Sequence, residues 1–190
     1  MTSAAMENTP VVNGSLRGQL IVATPARGDP NFERSVVFLL DHTDEGALGI
    51  VLNRPSTADV AEALPRWDTL ATAPEVMFVG GPVQPEAVVA LGLADAETEA
   101  VQTVVPGVAI VDLRSDPTTL VGDVEGLRLF AGYAGWGGGQ LEAEISEGGW
   151  FVVDAVPDDV FGADPDHLWV RVLARQGGLF STITEDPTLN

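Results

Sequence analysis

Apolar residues occur along this chain in short runs that are separated by glycine, proline and acidic residues. Short runs rich in β-branched and aromatic residues and bounded by turn residues are typical of largely buried strands. The pattern predicts strands at Gln19–Thr24, Ser35–Leu40, Ala47–Asn53, Glu75–Val79, Ala87–Ala94, Val101–Val105, Val108–Leu113, Leu127–Ala131 and Trp150–Ala155.

The second and third of these runs are joined by the polar segment DHTDEG, and a short polar connection that ends in glycine predicts a hairpin. After the hairpin, Thr57 can cap a short helix with Asp59 in its first turn, which reaches about Leu64 before Pro65 stops it. Further helix starts are predicted at Asp116–Pro117 and at Asp164–Pro165, the latter followed by Leu168, Trp169, Val172 and Leu173 at roughly helical spacing.

The order of these segments shows neither an internal repeat nor a linker. It predicts one compact α+β domain over residues 16–180, in which a mainly antiparallel or mixed sheet is flanked by helices. Residues 1–15 are expected to form a flexible leader and residues 181–190 a C-terminal tail.

The net charge of −19 arises from 28 acidic residues against nine arginines, with no lysine. Since nucleic-acid affinity depends on clustered basic residues, direct DNA binding is disfavoured. The absence of cysteine excludes disulfides and thiolate chemistry. The leader lacks the basic and apolar regions of a secretion signal, and no apolar run approaches the ~20 residues of a membrane span, so a cytoplasmic location is expected.

The run GYAGWGGGQLEAE, from Gly132 to Glu144, departs furthest from average composition. It is not a nucleotide loop, because a Walker loop requires lysine and the dinucleotide motif requires a glycine where Gln140 stands. One interpretation is a tight corner between a strand and a helix, with Trp136 as a packing residue. The other is an anion cradle formed by the amides of residues 137–141, with Tyr133 and Trp136 as its walls.

Glu142 and Glu144 follow this run and could be paired carboxylates, but residues two apart on a helix point about 200° away from each other. First-turn glutamates that complement the helix dipole are the favoured interpretation, and Glu142 is the better functional candidate because it is nearer the glycines. His42 and His167 match no metal or triad spacing. Neither a metal site nor a cofactor is predicted.

The loop PARGDPNFERS is unusually polar, and Arg27, Asp29, Asn31 and Arg34 could bind a ligand there. The alternative is structural: Asp29 caps a turn at Asn31 or Phe32 while Phe32 enters the core. The motifs of the chain leave both possibilities open.

Four blocks taken together, GQLIVATP, DPNFERSVVFLLDHTDEGALGIVLNRP, VGGPV and FAGYAGWGGGQLEAEI, closely resemble the YqgE/AlgH family of bacterial proteins from Leu16 to about Leu179. The resemblance implies an α+β domain with a curved, partly bifurcated sheet. It brings no enzymatic activity, cofactor or catalytic residue, although some members are described as transcriptional regulators. Gly138 stands where members commonly have proline, which implies a more flexible corner.

The leading hypothesis is a non-catalytic module that binds an unknown protein or small-molecule ligand and could regulate transcription through a protein partner. Its candidate binding residues are Asp29, Asn53, Arg54, Gly80, Gly81, Tyr133, Trp136, Gln140 and Glu142. The alternative is an enzyme in which Glu142 or Asp29 is the general base and Arg54 holds a small anionic substrate in one shared pocket. A third possibility is an interaction surface around exposed aromatics, including Trp67 or Trp136.

Overall fold

The computed structural model describes residues 14–25 and 28–178. Its strands are β1 (Gln19–Ala23), β2 (Val36–Thr43), β3 (Gly46–Val51), β4 (Pro55–Asp59), β5 (Val76–Val79), β6 (Val83–Leu93), β7 (Val101–Val105), β8 (Val108–Val111), β9 (Gly126–Gly137) and β10 (Trp150–Asp154). Its helices are α1 (Val60–Ala63), α2 (Gln140–Ser146), α3 (Pro157–Phe161) and α4 (Leu168–Gln176), with 3₁₀ turns at Pro65–Leu70 and Pro117–Thr119.

The strands form one curled sheet in the order β10-β1-β2-β3-β9-β6-β8-β7, and all neighbours along this path are antiparallel. β5 pairs parallel with β9 and antiparallel with β4. The predicted fold, a single α+β domain with a curved and mainly antiparallel sheet, is confirmed. Most of the predicted leader and tail, and Arg27, lie outside the described residues.

The long strand β9 connects the two halves of the sheet, because residues 126–133 pair with β6 and residues 134–137 pair with β3. Gly132 has a φ of 74° at the changeover, a left-handed conformation that favours glycine. The irregularity shifts the alternation of side chains along the strand. Phe130 before it and Tyr133 after it consequently face the same core.

Three apolar clusters cover the faces of the sheet. The largest packs Phe38, Phe78 and Phe130 against α3 and α4. A second lies under α2, where Leu141 and Ile145 meet the first three strands, and a third lies under the 3₁₀ turn at Pro65–Leu70. The predicted α4 positions Leu168, Trp169, Val172 and Leu173 are all buried.

The helix predicted after the hairpin begins later than expected. Thr57 lies in β4, because this segment pairs with β5, and the cap is Asp59, whose Oδ1 accepts a hydrogen bond from the Ala61 amide at 2.8 Å. The α-helix ends at Ala63 with Leu64 as its C-cap, close to the predicted end, and Pro65 opens a 3₁₀ turn. Proline suits a first helical position because its missing N–H has no partner there.

The glycine run is mainly a strand, and the predicted corner between a strand and a helix occupies only its end. Residues 132–137 belong to β9, held extended by pairing with β3 and β6, and the turn into α2 is confined to Gly138 and Gly139. Trp67 and Trp136 are both buried, at 3% and 6% exposure. The hypothesis of an exposed aromatic surface around them is therefore wrong.

Candidate binding site at the end of the hairpin

The nine candidate residues divide into two groups at opposite ends of the β2–β3 hairpin. Arg54 lies beside Ser35, just before β2 begins, whereas Glu142 contacts His42 near the end of that strand. The six steps from Val36 to His42 correspond to ~20 Å at about 3.3 Å per residue. Glu142 and Arg54 are thus not brought into one pocket.

The first group, here called the Arg54 corner, comprises Asp29, Asn53, Arg54, Gly80, Gly81 and Tyr133. Asn53 fixes the start of β2: its Oδ1 accepts from the Val36 amide at 3.0 Å and its Nδ2 donates to the Arg34 carbonyl at 2.9 Å. Arg54 Nη2 donates to the hydroxyl of fully buried Ser35 at 3.0 Å. The end of β3 is thereby tied to the polar loop.

The segment of residues 80–82, here called the GGP segment, is joined to the same corner by backbone hydrogen bonds. The Val79 amide donates to the Arg54 carbonyl and the Val51 amide to the Gly80 carbonyl, each at 2.8 Å. A Cβ on Gly81 would lie 2.2 Å from the carbonyl oxygen of Tyr133, so a side chain cannot be accommodated there. The structure therefore brings together the strand end and the glycine segment, which the sequence analysis placed in one candidate site.

The Arg54 guanidinium is half-buried, and this burial lowers its pKa from the usual value, while Asp29 and Glu33 act in the opposite direction. Within residues 14–25 and 28–178, the acceptor that its N–H groups reach is Ser35 Oγ. A guanidinium has five N–H donors. In the described part of the chain, the hydrogen bond to Ser35 accounts for one of the five.

Backbone strain occurs on both sides of the corner. Arg34 and Gln84 are the non-glycine residues with positive φ in the described part of the chain, at 51° and 46°. Arg34 immediately precedes Ser35, and its guanidinium lies 5.7 Å from the Trp169 ring centroid. Gln84 follows Val83, which pairs with Tyr133. Such conformations cost free energy and cluster at functional sites.

Asp29 has the structural role that was proposed for it as an alternative. Its Oδ1 accepts from the Asn31 amide at 2.9 Å, and its carbonyl accepts from the Phe32 amide at 3.0 Å. Phe32 then packs against Trp136 and Trp150, with ring centroids 6.0 and 5.5 Å away. The turn-capping interpretation is confirmed, and the charge of Asp29 acts to raise the pKa of Arg54 against the effect of burial.

The second group, Trp136, Gln140 and Glu142, lies around α2. Tyr133 packs into the core under α4, whereas Trp136 packs into the cluster under α2. The two aromatics therefore face opposite sides of β9 and do not form the two walls of one cradle. The Gly137 amide, predicted to be available to an anion, donates to Gln140 Oε1 at 3.0 Å.

Glu144, which the sequence ranked below Glu142, is the acceptor that organises this region. Its Oε2 accepts from the indoles of Trp136 at 3.2 Å and Trp150 at 2.8 Å, and its Oε1 accepts from Gln140 Nε2 at 3.1 Å. These contacts join α2 to β9 and β10. Both oxygens of the Glu144 carboxylate are thus engaged in hydrogen bonds within the fold.

His42 is the residue in this region that sequence reasoning missed. The β2–β3 register shifts between Leu39 and Asp41, so His42 lies on the same face as Leu39, toward α2. Its Nε2 lies 2.8 Å from Glu142 Oε1, and its Nδ1 accepts from the Leu16 amide at 2.9 Å. The bulge that places it there has no recognisable sequence signal.

Neither group has the composition of a metal centre. In the described ranges, no set of three or more His, Asp or Glu side chains is arranged to hold a metal ion. No described helix has the length and apolar character needed to cross a membrane.

The curled antiparallel sheet with its short helices places this protein among small domains of the α+β class. Comparison with known proteins identifies its family. The chain belongs to the AlgH-like family, which matches residues 20–181. A UPF0301 protein of Streptomyces coelicolor is 49% identical over 187 residues, spanning 93% of this chain and 96% of the relative. A UPF0301 protein of Thermobifida fusca is 48% identical over 190 residues, with the same coverage.

Two solved structures share the fold. A crystal structure of a Corynebacterium diphtheriae protein superposes with a TM-score of 0.83 at 32% identity, covering 88% of this chain and 91% of that one. The solution structure of the AlgH protein from Pseudomonas aeruginosa gives a TM-score of 0.68 at 28% identity, covering 98% of each chain. The names of these relatives state no substrate or reaction.

Proposed function

We propose that this protein is a non-catalytic binding module of the cytoplasm whose ligand contacts the Arg54 corner. The observation that supports it is the half-buried Arg54 guanidinium, which donates to Ser35, next to the exposed Val79, at 43% exposure, whose amide donates to the Arg54 carbonyl. A ligand that satisfies both features has a carboxylate or phosphate oxygen next to an apolar group. A metabolite and a segment of a protein partner can both offer this chemistry.

The charges around the corner favour a ligand with a single negative charge. Asp29 and Glu33 both interact with Arg54 electrostatically. Because both acidic side chains act on Arg54, they also oppose the approach of a highly charged anion to it. An isolated carboxylate can still use the directional N–H groups of the guanidinium.

The enzyme alternative lacks support in this arrangement. Glu142 is held by His42 at the far end of the hairpin, and Asp29 accepts a turn-forming hydrogen bond. The corner supplies no nucleophile with an adjacent base and no base with an orienting partner.

Any role in transcription is proposed to act through a protein partner, because a net charge of −19 repels the phosphate backbone. A gel-shift assay with the pure protein at low salt should show no complex with duplex DNA. Tight binding under those conditions would overturn this part of the proposal.

A thermal-shift screen tests the site itself. The library contains aliphatic carboxylates, phosphorylated metabolites and short peptides that alternate acidic and apolar residues. A ligand at 100 times its Kd adds about 2.7 kcal/mol, which should raise the Tm by roughly 5–10 °C for a domain of this size.

The Arg54→Gln variant should lose this shift, because it lacks the guanidinium. Arg66→Gln should retain it, since the Arg66 side chain is 66% exposed and its ion pair is with Asp116, which is not part of the corner. An undiminished shift in Arg54→Gln, or no shift from any compound or peptide, contradicts the proposal.

A further inference from the structure

Residues 14–18, here called the N-terminal clasp, are fastened to β2 around His42. Ser15 Oγ donates to the His42 carbonyl and the Leu16 amide donates to His42 Nδ1, both at 2.9 Å. The Gly18 amide donates to the Leu39 carbonyl at 2.8 Å. The imidazole is thus part of the attachment of this segment.

The clasp also holds the last strand in the sheet order, β7. Arg17 Nη1 and Nη2 donate to the carbonyls of Val104 and Thr103, both at 3.2 Å. Gly18 packs so closely that a Cβ would lie 2.4 Å from Val105 Cγ1. The clasp therefore connects β2 to β7, an edge strand, and Arg17 supplies donors to two of its carbonyls.

The hydrogen bonds define the protonation state of His42 in the closed clasp. Nδ1 must carry a lone pair, because it accepts the Leu16 N–H. In the neutral ring the proton then resides on Nε2, which donates to Glu142 Oε1 at 2.8 Å. The His42 side chain is 5% exposed and that of Glu142 is 36% exposed, so little water can replace a lost partner of the ring.

We propose that the clasp is a pH-sensitive device that opens when His42 is protonated. A second proton on the ring must bind to Nδ1. It would then point at the Leu16 N–H, which would lose its hydrogen-bond acceptor. Glu142, on α2, stabilises the resulting imidazolium. The protonated ring therefore keeps its contact with Glu142, and the hydrogen bond to the clasp is lost. Histidine side chains change charge between about pH 5 and 8.

Within residues 14–25 and 28–178, the charged group that forms a hydrogen bond with the ring is Glu142. Asp41, on β2 itself, accepts from the His42 amide at 2.9 Å. Arg17 is the charged residue of the clasp, and its guanidinium is directed to β7. Ala47, opposite His42 on β3, is apolar. Glu142 is therefore the charge that contacts the imidazolium directly, and opening frees the Thr103 and Val104 carbonyls on the edge of β7.

Amide hydrogen exchange measured by NMR at pH 8 and pH 5, corrected for the intrinsic rates, tests the proposal. The protection factors of Leu16 and Gly18 should fall at least tenfold at pH 5, while that of Phe38 in the middle of β2 stays constant. Equal protection of Leu16 at both pH values would overturn the proposal.

The matched variant is His42→Asn, whose Oδ1 can accept the Leu16 N–H but cannot take up a proton. Its Leu16 protection should not depend on pH, and the same fall as in the wild type would contradict the proposal. In Glu142→Gln the loss of Leu16 protection should occur at lower pH than in the wild type, because the variant lacks the charge that stabilises the imidazolium.

Ring ¹⁵N shifts of wild-type His42 give a measurement that does not depend on any variant. At pH 8 they should show the proton on Nε2, and at pH 5 on both nitrogens, with loss of Leu16 protection over the same range. A doubly protonated ring with a fully protected Leu16 amide would refute the device.

Discussion

At the scale of single residues, two glutamates separated by one position have different structural roles. Glu142 turns toward His42 on one flank of α2, and Glu144 turns toward Trp136 and Trp150 on the other. The divergence agrees with the helical angle expected from their spacing. The choice between them could not be made from the sequence, because it depends on which strands lie on each flank.

Replacing Glu144 tests this role. Glu144→Ala leaves two indole N–H groups without their acceptor and should lower the free energy of unfolding by about 2–4 kcal/mol, and Glu144→Gln by about half as much. Urea unfolding followed by tryptophan fluorescence measures both. Glu147→Ala, at an exposed position of the same segment, should change stability by less than about 0.5 kcal/mol. Equal effects at the two positions would argue against the role of Glu144.

Gly46 provides a second test at this scale. It has a φ of 146°, and a Cβ there would lie 2.2 Å from the Trp136 carbonyl oxygen. Gly46→Ala should cost more than about 3 kcal/mol, because strain and a backbone clash combine. Gly122→Ala, with a φ of 100° and open space around it, should cost only about 1–2 kcal/mol. Urea unfolding of both variants separates the clash from the strain, and similar losses would contradict the close approach.

At the scale of elements, Arg128 of β9 fastens α3 and the loop before β5. Its Nη1 donates to the Val160 carbonyl and its Nη2 to the Ala73 carbonyl, both at 2.6 Å. The guanidinium lies 4.6 Å from the Phe78 ring centroid. Burial lowers the pKa of Arg128 to about 10, which leaves it charged at neutral pH.

Arg128→Met should therefore lower stability by about 3 kcal/mol or more, because buried carbonyls lose their donors. Arg128→Lys should recover only part of the loss, since one ammonium cannot span both carbonyls. Calorimetry or urea unfolding measures these changes. The exposed Arg66→Met is the control, with an expected change below about 0.5 kcal/mol. If Arg128→Met were as stable as the control, the fastening role would be wrong.

The elements were largely predictable, whereas their junctions were not. Apolar runs such as those at Gln19–Ala23 and Val101–Val105 indicate strands, because burial of β-branched residues is a local property. The bulge after Leu39 and the left-handed Gly132 decide which face His42 and Tyr133 occupy. Both depend on pairing with distant strands. For this reason the sequence identified Arg54 and the GGP segment but could not show that they form one corner.

At the scale of the whole molecule, the scarce cations are used to join segments. Arg17 links the clasp to β7, Arg128 links β9 to α3, and Arg175 makes two hydrogen bonds to buried Asp159 at 2.7 and 2.9 Å. The 28 acidic residues outnumber the nine arginines about threefold. The folded state consequently carries strong self-repulsion.

This repulsion predicts that salt stabilises the protein. Raising NaCl from ~10 to ~150 mM shortens the Debye length from about 30 to about 8 Å, and a gain of about 1 kcal/mol would raise the Tm by roughly 3 °C. Scanning calorimetry measures the slope, and choline chloride should reproduce it if screening is the cause. Neutralising four exposed acids, Asp44, Glu45, Glu62 and Glu147, to their amides should raise the Tm at low salt and flatten the slope. A Tm that is constant or falls with added salt would show that paired charges, and not net repulsion, dominate the electrostatics of this fold.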